Sequence, residues 1–473
     1  MPGICLHLPT SKWRVVGSSK SMWTDVRALL RIPATSLVGS DPGNSSSVAS
    51  RLRSYTERLV ASDFVRKVAE TYATQIVLLG LSLVTSIAVA RALGPEGRGL
   101  YAVAMAMGTI GVQLCNLGLH ASNTFYVSKD RLLLPTLLGN SFLVSLGLGG
   151  GLALVGGAIF AIWPRIAPLS GPLLWLGFAW TPIALAFLLM ENLFVGLQDV
   201  RFYNKIEITN RMLALALVLA IILRHRTTPV TIFVAMLASI TLSAIWAFSR
   251  LSRLIHRFPL PSMSILSKHF GLGIKAYLIA LFGFLLLRID LFMVKYILGA
   301  EQAGYYSIAS TMADYVLMLP SVIGLILFPR LSSMKDFGEK LRQAKMATKG
   351  TALALLPVLV FAGIAARPVV SILFGKPFSH AASAFLWLIP GIFAMGIESA
   401  LVQFLNSLGY PVTLVWIWLA ATILNVLLNL WMIPAFGIAG ASAASTICYS
   451  LVFFAVVVIV RQCKVHEFQP VLA

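Results

Sequence analysis

From Thr71 onward the chain alternates between long apolar runs and short polar breaks, and each run is close to the ~20 residues a helix needs to cross a bilayer. The runs cover about 71–90, 101–119, 137–162, 173–196, 206–223, 229–249, 276–298, 304–327, 350–373, 384–406, 412–431 and 438–460. Apolar runs of this length predict helices, because a span must satisfy its backbone hydrogen bonds internally. Twelve such helices place both chain ends on the same side. One polar break occurs twice. Residues 91–104 and 296–309, offset by 205, share Leu93/Leu298, Gly94/Gly299, Glu96/Glu301, Gly99/Gly304, Tyr101/Tyr306 and Ala104/Ala309. Six identities in fourteen exceed the roughly one or two that composition gives, so the break reads as the trace of a duplication. Its copies join spans one to two and seven to eight, and both therefore lie on one side of the membrane. The predicted fold is an all-α polytopic membrane protein of about twelve helices, in two parallel six-helix lobes related by a pseudo-twofold along the membrane normal. A cleft between the lobes is the natural path for a substrate.

Composition agrees with this pattern. The 473 residues are 58% hydrophobic and 11% charged, with a mean hydropathy of +0.87, more apolar surface than a soluble domain can bury. The net charge of +20 does not imply nucleic acid, since the basic residues lie between apolar runs; it reports topology and an anionic surface or substrate. Of 37 Lys and Arg, 27 fall in the segments on the N-terminal side and 8 on the opposite side, with Arg211 and Arg288 inside spans. Both termini are therefore expected in the cytoplasm. The predicted organisation is a basic cytoplasmic tail over 1–68, a first lobe over 69–250, a basic linker over 251–275, a second lobe over 276–462 and a cytoplasmic end over 463–473. The tail lacks an apolar run long enough to span, and it reads as largely disordered. Cys5, Cys115, Cys448 and Cys463 have neither metal-ligand nor redox spacing.

An ionisable group within a span is expensive, about 2.5–3.5 kcal/mol at the centre on insertion scales, so each needs a reason. Arg288 and Asp290 stand near the middle of the seventh run. Two residues apart, they are rotated by about 200° and cannot pair with each other; they read as a cleft cation and an acid that binds or gates, or as two separate interhelical ties. Their repeat equivalents are Leu83 and Thr85, so the lobes are chemically unequal. Glu191 in the fourth run, Glu398 in the tenth and Asp314 in the eighth are candidates for ion coupling or for hydrogen bonds between helices. Arg211 and Lys275 lie near the cytoplasmic mouth, where long cationic side chains also snorkel to the interface. Asn425 and Asn429 share one helix face, and with the other asparagines in spans they read as interhelical glue. The charges of the repeated hairpin, Arg91, Glu96 and Arg98, read as solvated outer-loop groups. Pro182, Pro320, Pro357 and Pro390 interrupt spans, and the glycines from Gly147 to Gly157 thin out the third.

No G-x-x-x-x-G-K-[ST] phosphate loop, H-E-x-x-H or G-x-S-x-G pattern occurs, so the residues point to a transporter rather than an enzyme, with no metal or cofactor expected.

Two stretches go further. Ala90-Arg91-Ala92-Leu93-Gly94-Pro95-Glu96 with Gly99 and Tyr101-Ala102 resembles the first hairpin of the Wzx-type polysaccharide flippases of the multidrug/oligosaccharidyl-lipid/polysaccharide (MOP) exporter superfamily. Arg288-x-Asp290, then Leu298-Gly299 and Gly304-Tyr305-Tyr306-Ser307-x-Ala309, resembles the seventh-helix signature, and Asn429 with Ile433-Pro434-x-Phe436-Gly437-Ile438-x-Gly440-Ala441 is similar to the turn between helices eleven and twelve. The resemblance covers about 65–462 and leaves the long basic N-terminal stretch outside the family pattern. It implies a MOP/MATE-like fold and flipping of a polyprenyl-diphosphate-linked oligosaccharide across a bacterial inner membrane, for exopolysaccharide, O-antigen or capsule synthesis. The lipid bilayer and a polysaccharide polymerase or export machinery are the implied partners. Arg288 would hold the diphosphate, with Arg211 or Lys275 at the entrance. Asp290, Glu191, Glu398 and Asp314 would couple or gate. Two other readings remain open. A cation-coupled drug or metabolite antiporter of the same superfamily would need an acidic cleft. A membrane glycan polymerase or ligase would need a large outer loop.

Overall fold

The computed structural model describes residues 63–255 and 258–463. The expected basic tail therefore lies outside the described residues up to residue 62, and so does the chain end from residue 464. The chain divides into two units, 1–72 and 73–473; of the first, the described part is the helical stretch 63–72. The described residues form helices and turns, without strands. In order they are α1 (Asp63–Asn116), α2 (Leu119–Lys129), α3 (Leu134–Val144), α4 (Gly150–Ile162), α5 (Pro172–Gly196), α6 (Val200–Leu223), α7 (Pro229–Ser252), α8 (Met263–Leu298), α9 (Ala300–Ser333), α10 (Phe337–Leu373), α11 (Ala381–Ser407) and α12 (Val412–Gln462).

Among the described residues ten helical stretches are long and apolar enough to cross a membrane, and two of them, over Thr74–Asn116 (43 residues) and Val412–Gln462 (51 residues), are about twice the length of one crossing. Each is broken by a single glycine. Gly94 (φ 66°, ψ −178°) divides α1, and Gly437 (φ 63°, ψ −145°) divides α12. These left-handed φ values are strained for any residue with a Cβ. The expected polar hairpin at 90–102 is thus no loop: one glycine turns the chain and Pro95 starts the next helix, where its missing N–H is harmless. The copy behaves alike, because Gly299 (φ 95°, ψ 178°) alone separates α8 from α9. With α1 and α12 each read as two spans, the about twelve expected crossings are accounted for.

Two other expectations are corrected. The connection expected over 120–136 is mostly the helix α2. The linker expected over 251–275 is helical from Met263 onward, because Ser262 to Leu298 carries no helix-breaking proline once Pro261 is passed. The glycine-rich third span shows why it is thin. It contains a π-helical turn, Ser145–Gly149. A Cβ at Gly149 would stand 3.1 Å from the Pro182 Cα, and one at Gly156 or Gly157 would meet the Phe178 or Trp175 ring, so small residues let the third span press onto α5.

Helix starts are capped by short polar side chains. Asp199 accepts from the Phe202 N–H, Asp336 from the Glu339 N–H at 2.6 Å, and Thr228 and Thr231 form a reciprocal capping box. In the first half α5 packs on α2, α4 and α7, and α6 packs on α7; in the second, α11 packs on α9, α10 and α12, and α8 on α12. One apolar core, containing Ala90, Tyr101, Val103, Tyr306 and Ile308, joins both halves around the glycine turns. A second, from Ile279 to Val460, belongs to the second half alone. Leu154, Leu325, Leu353 and Ile364 face outward, as side chains in contact with lipid must.

Candidate functional site

A cavity of about 730 Å³ lies between the two halves, lined from the first by α1 and α6 and from the second by α8, α9, α11 and α12. Its α1 residues, Gln75 to Ser82, precede the turn at Gly94 by enough helix to stand roughly 18–28 Å from it. The cavity therefore lies in the half of the molecule away from the glycine turns.

Four of the residues expected to do chemistry meet there, Arg288, Asp314, Arg211 and Glu398. Arg288 on α8 and Asp314 on α9 line the cavity and pair at 2.8 Å, with side chains 29% and 38% exposed. The bond uses one Nη2 of Arg288, and the guanidinium also stands 5.9 Å from the Phe284 ring; its other donors are open to the cavity. Arg211 reaches the same space from α6. Its nearest carboxylate, Glu207 one helical turn earlier, is 4.0 Å away, beyond hydrogen-bond length. Two guanidinium groups, one from each half, thus present planar donor forks to a common volume, a geometry suited to phosphate oxygens. Glu398 also lines the cavity. It is 1% exposed, and neither carboxyl oxygen has a hydrogen-bond partner among the described residues.

The other candidates stand elsewhere. Asp290 is 1% exposed and absent from the cavity wall. Its Oδ2 accepts from the hydroxyls of Tyr306 and Ser445 (2.9 Å), and its Oδ1 from the Leu291 N–H (2.8 Å). Asn425 donates to Ser445 (3.3 Å) and Asn429 to Asn425 (2.9 Å), so the i, i+4 pair does bind helices together. Glu191 is buried beside the carboxyl of Glu207, with its Oε1 unpartnered, one layer behind the wall. Lys275 is exposed and outside the cavity, which corrects its expected place at the cleft. On a helix that begins at Met263, it is a flank residue rather than a mouth.

Sequence reasoning missed two groups. Glu207 falls at the start of its span and reads as an interfacial charge, yet its i, i+4 spacing to Arg211 was visible. Arg98, expected to be solvated, is 7% exposed. Its Nε donates to Ser307 Oγ (3.3 Å), and its Nη2 to Ser86 Oγ (3.3 Å) and Thr311 Oγ1 (3.5 Å).

Residues 88–383 match the family described as "Polysaccharide biosynthesis protein". Among curated proteins, the succinoglycan biosynthesis transport protein ExoT of Rhizobium meliloti (strain 1021) is 29% identical over 188 residues, 38% of this chain and 36% of that one. The chain spans between 35% and 46% of the length of the curated relatives it matches. Among solved structures, the inward-facing conformation of a multidrug resistance MATE family transporter of the MOP superfamily matches with a TM-score of 0.65 at 17% identity, over 82% of this chain and 97% of that one. The lipid II flippase MurJ in an inward closed conformation matches with a TM-score of 0.63 at 13% identity, over 84% and 87%. The chain shares the fold of these two structures, and the molecule is a multi-pass membrane protein.

Proposed function

Because the chain belongs to the polysaccharide biosynthesis protein family, we propose that it is a secondary transporter that flips a polyprenyl-diphosphate-linked oligosaccharide from the cytoplasmic to the outer leaflet of a bacterial inner membrane. The observation that carries this reading is the meeting of Arg211 and Arg288, from opposite halves, in one cavity of a size to admit a diphosphate and adjoining sugar. Both cations keep donors free and stand within spans, with the Arg288 and Arg211 side chains 29% and 45% exposed to the cavity side, where a cation with so few acceptors favours an anionic ligand.

In this mechanism the lobes, 69–250 and 276–462, rock so that the cavity opens to one side at a time. The excess of Lys and Arg on the N-terminal side supports cytoplasmic termini and hence a cavity open inward. The lipid tail remains in the bilayer through the gap between lobes. The membrane potential, ~2.3 kcal/mol per charge per 100 mV, or protonation of Glu398, Glu191 or Asp290 supplies the driving force. No bond is made or broken, and the partners are the lipid-linked glycan, the bilayer and the polymerase or export machinery that takes the product.

The test is Arg288→Ala expressed in place of the wild-type chain. Polysaccharide export falls at least tenfold while membrane blots show normal insertion, and lipid-linked precursor accumulates on the cytoplasmic face. Normal export sinks the cleft-cation reading. One observation favours a second reading, a cation-coupled antiporter: the cavity wall carries Glu207, Asp314 and Glu398 beside its two arginines. Proteoliposomes separate the two, since an antiporter moves a cationic dye against a proton or sodium gradient and a flippase leaves the dye in place.

A further inference from the structure

The end of the molecule opposite the cavity is a seam between the two lobes, and its construction repeats the internal symmetry. A Cβ on Gly99 would overlap the carbonyl oxygen of Ala300, and one on Gly304 the carbonyl oxygen of Pro95. Gly99 and Gly304 are repeat equivalents, and so are Pro95 and Ala300. The contact is therefore reciprocal, as at a twofold axis where each copy meets its own counterpart. Apolar packing of Tyr101, Val103, Tyr306 and Ile308 surrounds this close approach and supplies no directional bond across it.

Arg98, the neighbour of Gly99, supplies the hold, and only one lobe has it: the equivalent position is Ala303. Its guanidinium crosses the seam to Ser307 and Thr311 on α9 and returns to Ser86 on its own lobe, with the Tyr101 ring 5.5 Å away. Arg98 has no carboxylate partner among the described residues, and its three hydroxyl contacts are 3.3–3.5 Å long. A carboxylate here would make a buried ion pair, which is hard to break; neutral hydroxyls hold a buried cation weakly enough to release it. Arg91 also crosses, to the Leu373 carbonyl at 2.8 Å and to that of Ile372, but it is exposed and water competes for its bonds.

We propose that Arg98 is the latch of this seam: it holds the lobes together at the glycine turns, and its release from Ser307 and Thr311 is the step that opens the molecule on that side. The proposal rests on the rocking motion of the reading above and is independent of the cargo. Spin labels at Glu96→Cys and Lys376→Cys, both exposed and on opposite sides of the seam, report its opening by pulsed electron paramagnetic resonance on the full chain in nanodiscs, with the native cysteines replaced. The wild-type sequence gives a dominant short distance and a minor long one. Arg98→Ala raises the ratio of long to short on the order of tenfold, the effect of losing one charged hydrogen-bond set. Ser307→Ala combined with Thr311→Val, which keeps Arg98 and its folding role, moves the ratio the same way, and Arg98→Lys falls between. If the wild-type sequence shows two populations whose ratio ignores the Ser307/Thr311 double variant, the latch is overturned while rocking stands. If only the short distance is ever found, the rocking mechanism and the latch fall together.

Discussion

Glu398 offers the sharpest conflict between stability and transport. The residue is 1% exposed, and both carboxyl oxygens lack a partner among the described residues, although the residue borders the cavity. Each buried polar atom left unpaired costs about 1–3 kcal/mol, whereas replacing such a group with an apolar one of similar shape is neutral or stabilising. Glu398→Met is close in length and puts apolar atoms where the two unpartnered oxygens stand. The substitution should therefore stabilise the protein by about 1–3 kcal/mol, read as a rise in the midpoint of thermal unfolding followed by tryptophan fluorescence in detergent. Glu398→Gln retains two polar atoms and the shape, and leaves the midpoint nearly unchanged. Transport reads the other half. If Glu398 exchanges a proton with the cavity, both variants lose the dependence of flipping on a proton gradient in proteoliposomes, although slow equilibration persists. A lower midpoint for Glu398→Met, by the 2–5 kcal/mol usual for damage to a packed core, would mean that the carboxyl is held by something that rewards its polarity. The reasoning from unpaired oxygens would then be wrong.

Three further outcomes follow from the geometry. Asp290→Ala strands the hydroxyls of Tyr306 and Ser445 and destabilises by about 2–4 kcal/mol, whereas Asp290→Asn keeps an acceptor and costs about half as much; equal midpoints for the two would refute the network. Gly99→Ala and Gly304→Ala each drive a methyl group into a carbonyl oxygen and lower stability by about 1–3 kcal/mol, while Gly150→Ala, with open space around it, is neutral in the same thermal assay. Lys275→Ala leaves export within about twofold of wild type, the range of an exposed substitution away from the site; a tenfold loss would return Lys275 to the substrate entrance.

The spans were legible because the bilayer leaves a chain few choices: an apolar run of about twenty residues becomes a helix whatever surrounds it. The joins between spans were less so. Polarity at 90–102 suggested a loop, yet one glycine and one proline sufficed, because turning a helix needs a single positive φ and not a length of polar chain. The cavity was partly legible. Arg288 and Asp314 are charged residues in mid-span, and that expense made them candidates before their pairing was known. Glu398 was found on the same ground. Lys275 was misplaced because proximity to a span end does not say which face of the helix meets the cleft.

Arg98 shows what kind of signal reaches further. By composition it is one of three charges in a polar break, indistinguishable from Arg91 and Glu96, and its burial depends on a lobe whose contacting residues lie 209 and 213 positions away. The repeat, however, carries information that a single hairpin lacks. If two copies are related by a twofold, the positions nearest the axis must meet their own equivalents, and of the shared residues only a glycine pair permits backbones to touch. Gly99 and Gly304 are such a pair, and the carbonyl contacts on both sides bear the crossing out. Arg98 stands beside that crossing and is buried, so a charge there, absent from the other copy, is no solvated loop group. The identities of the repeat locate the axis, and its one charged difference next to the axis locates the residue we propose as the latch.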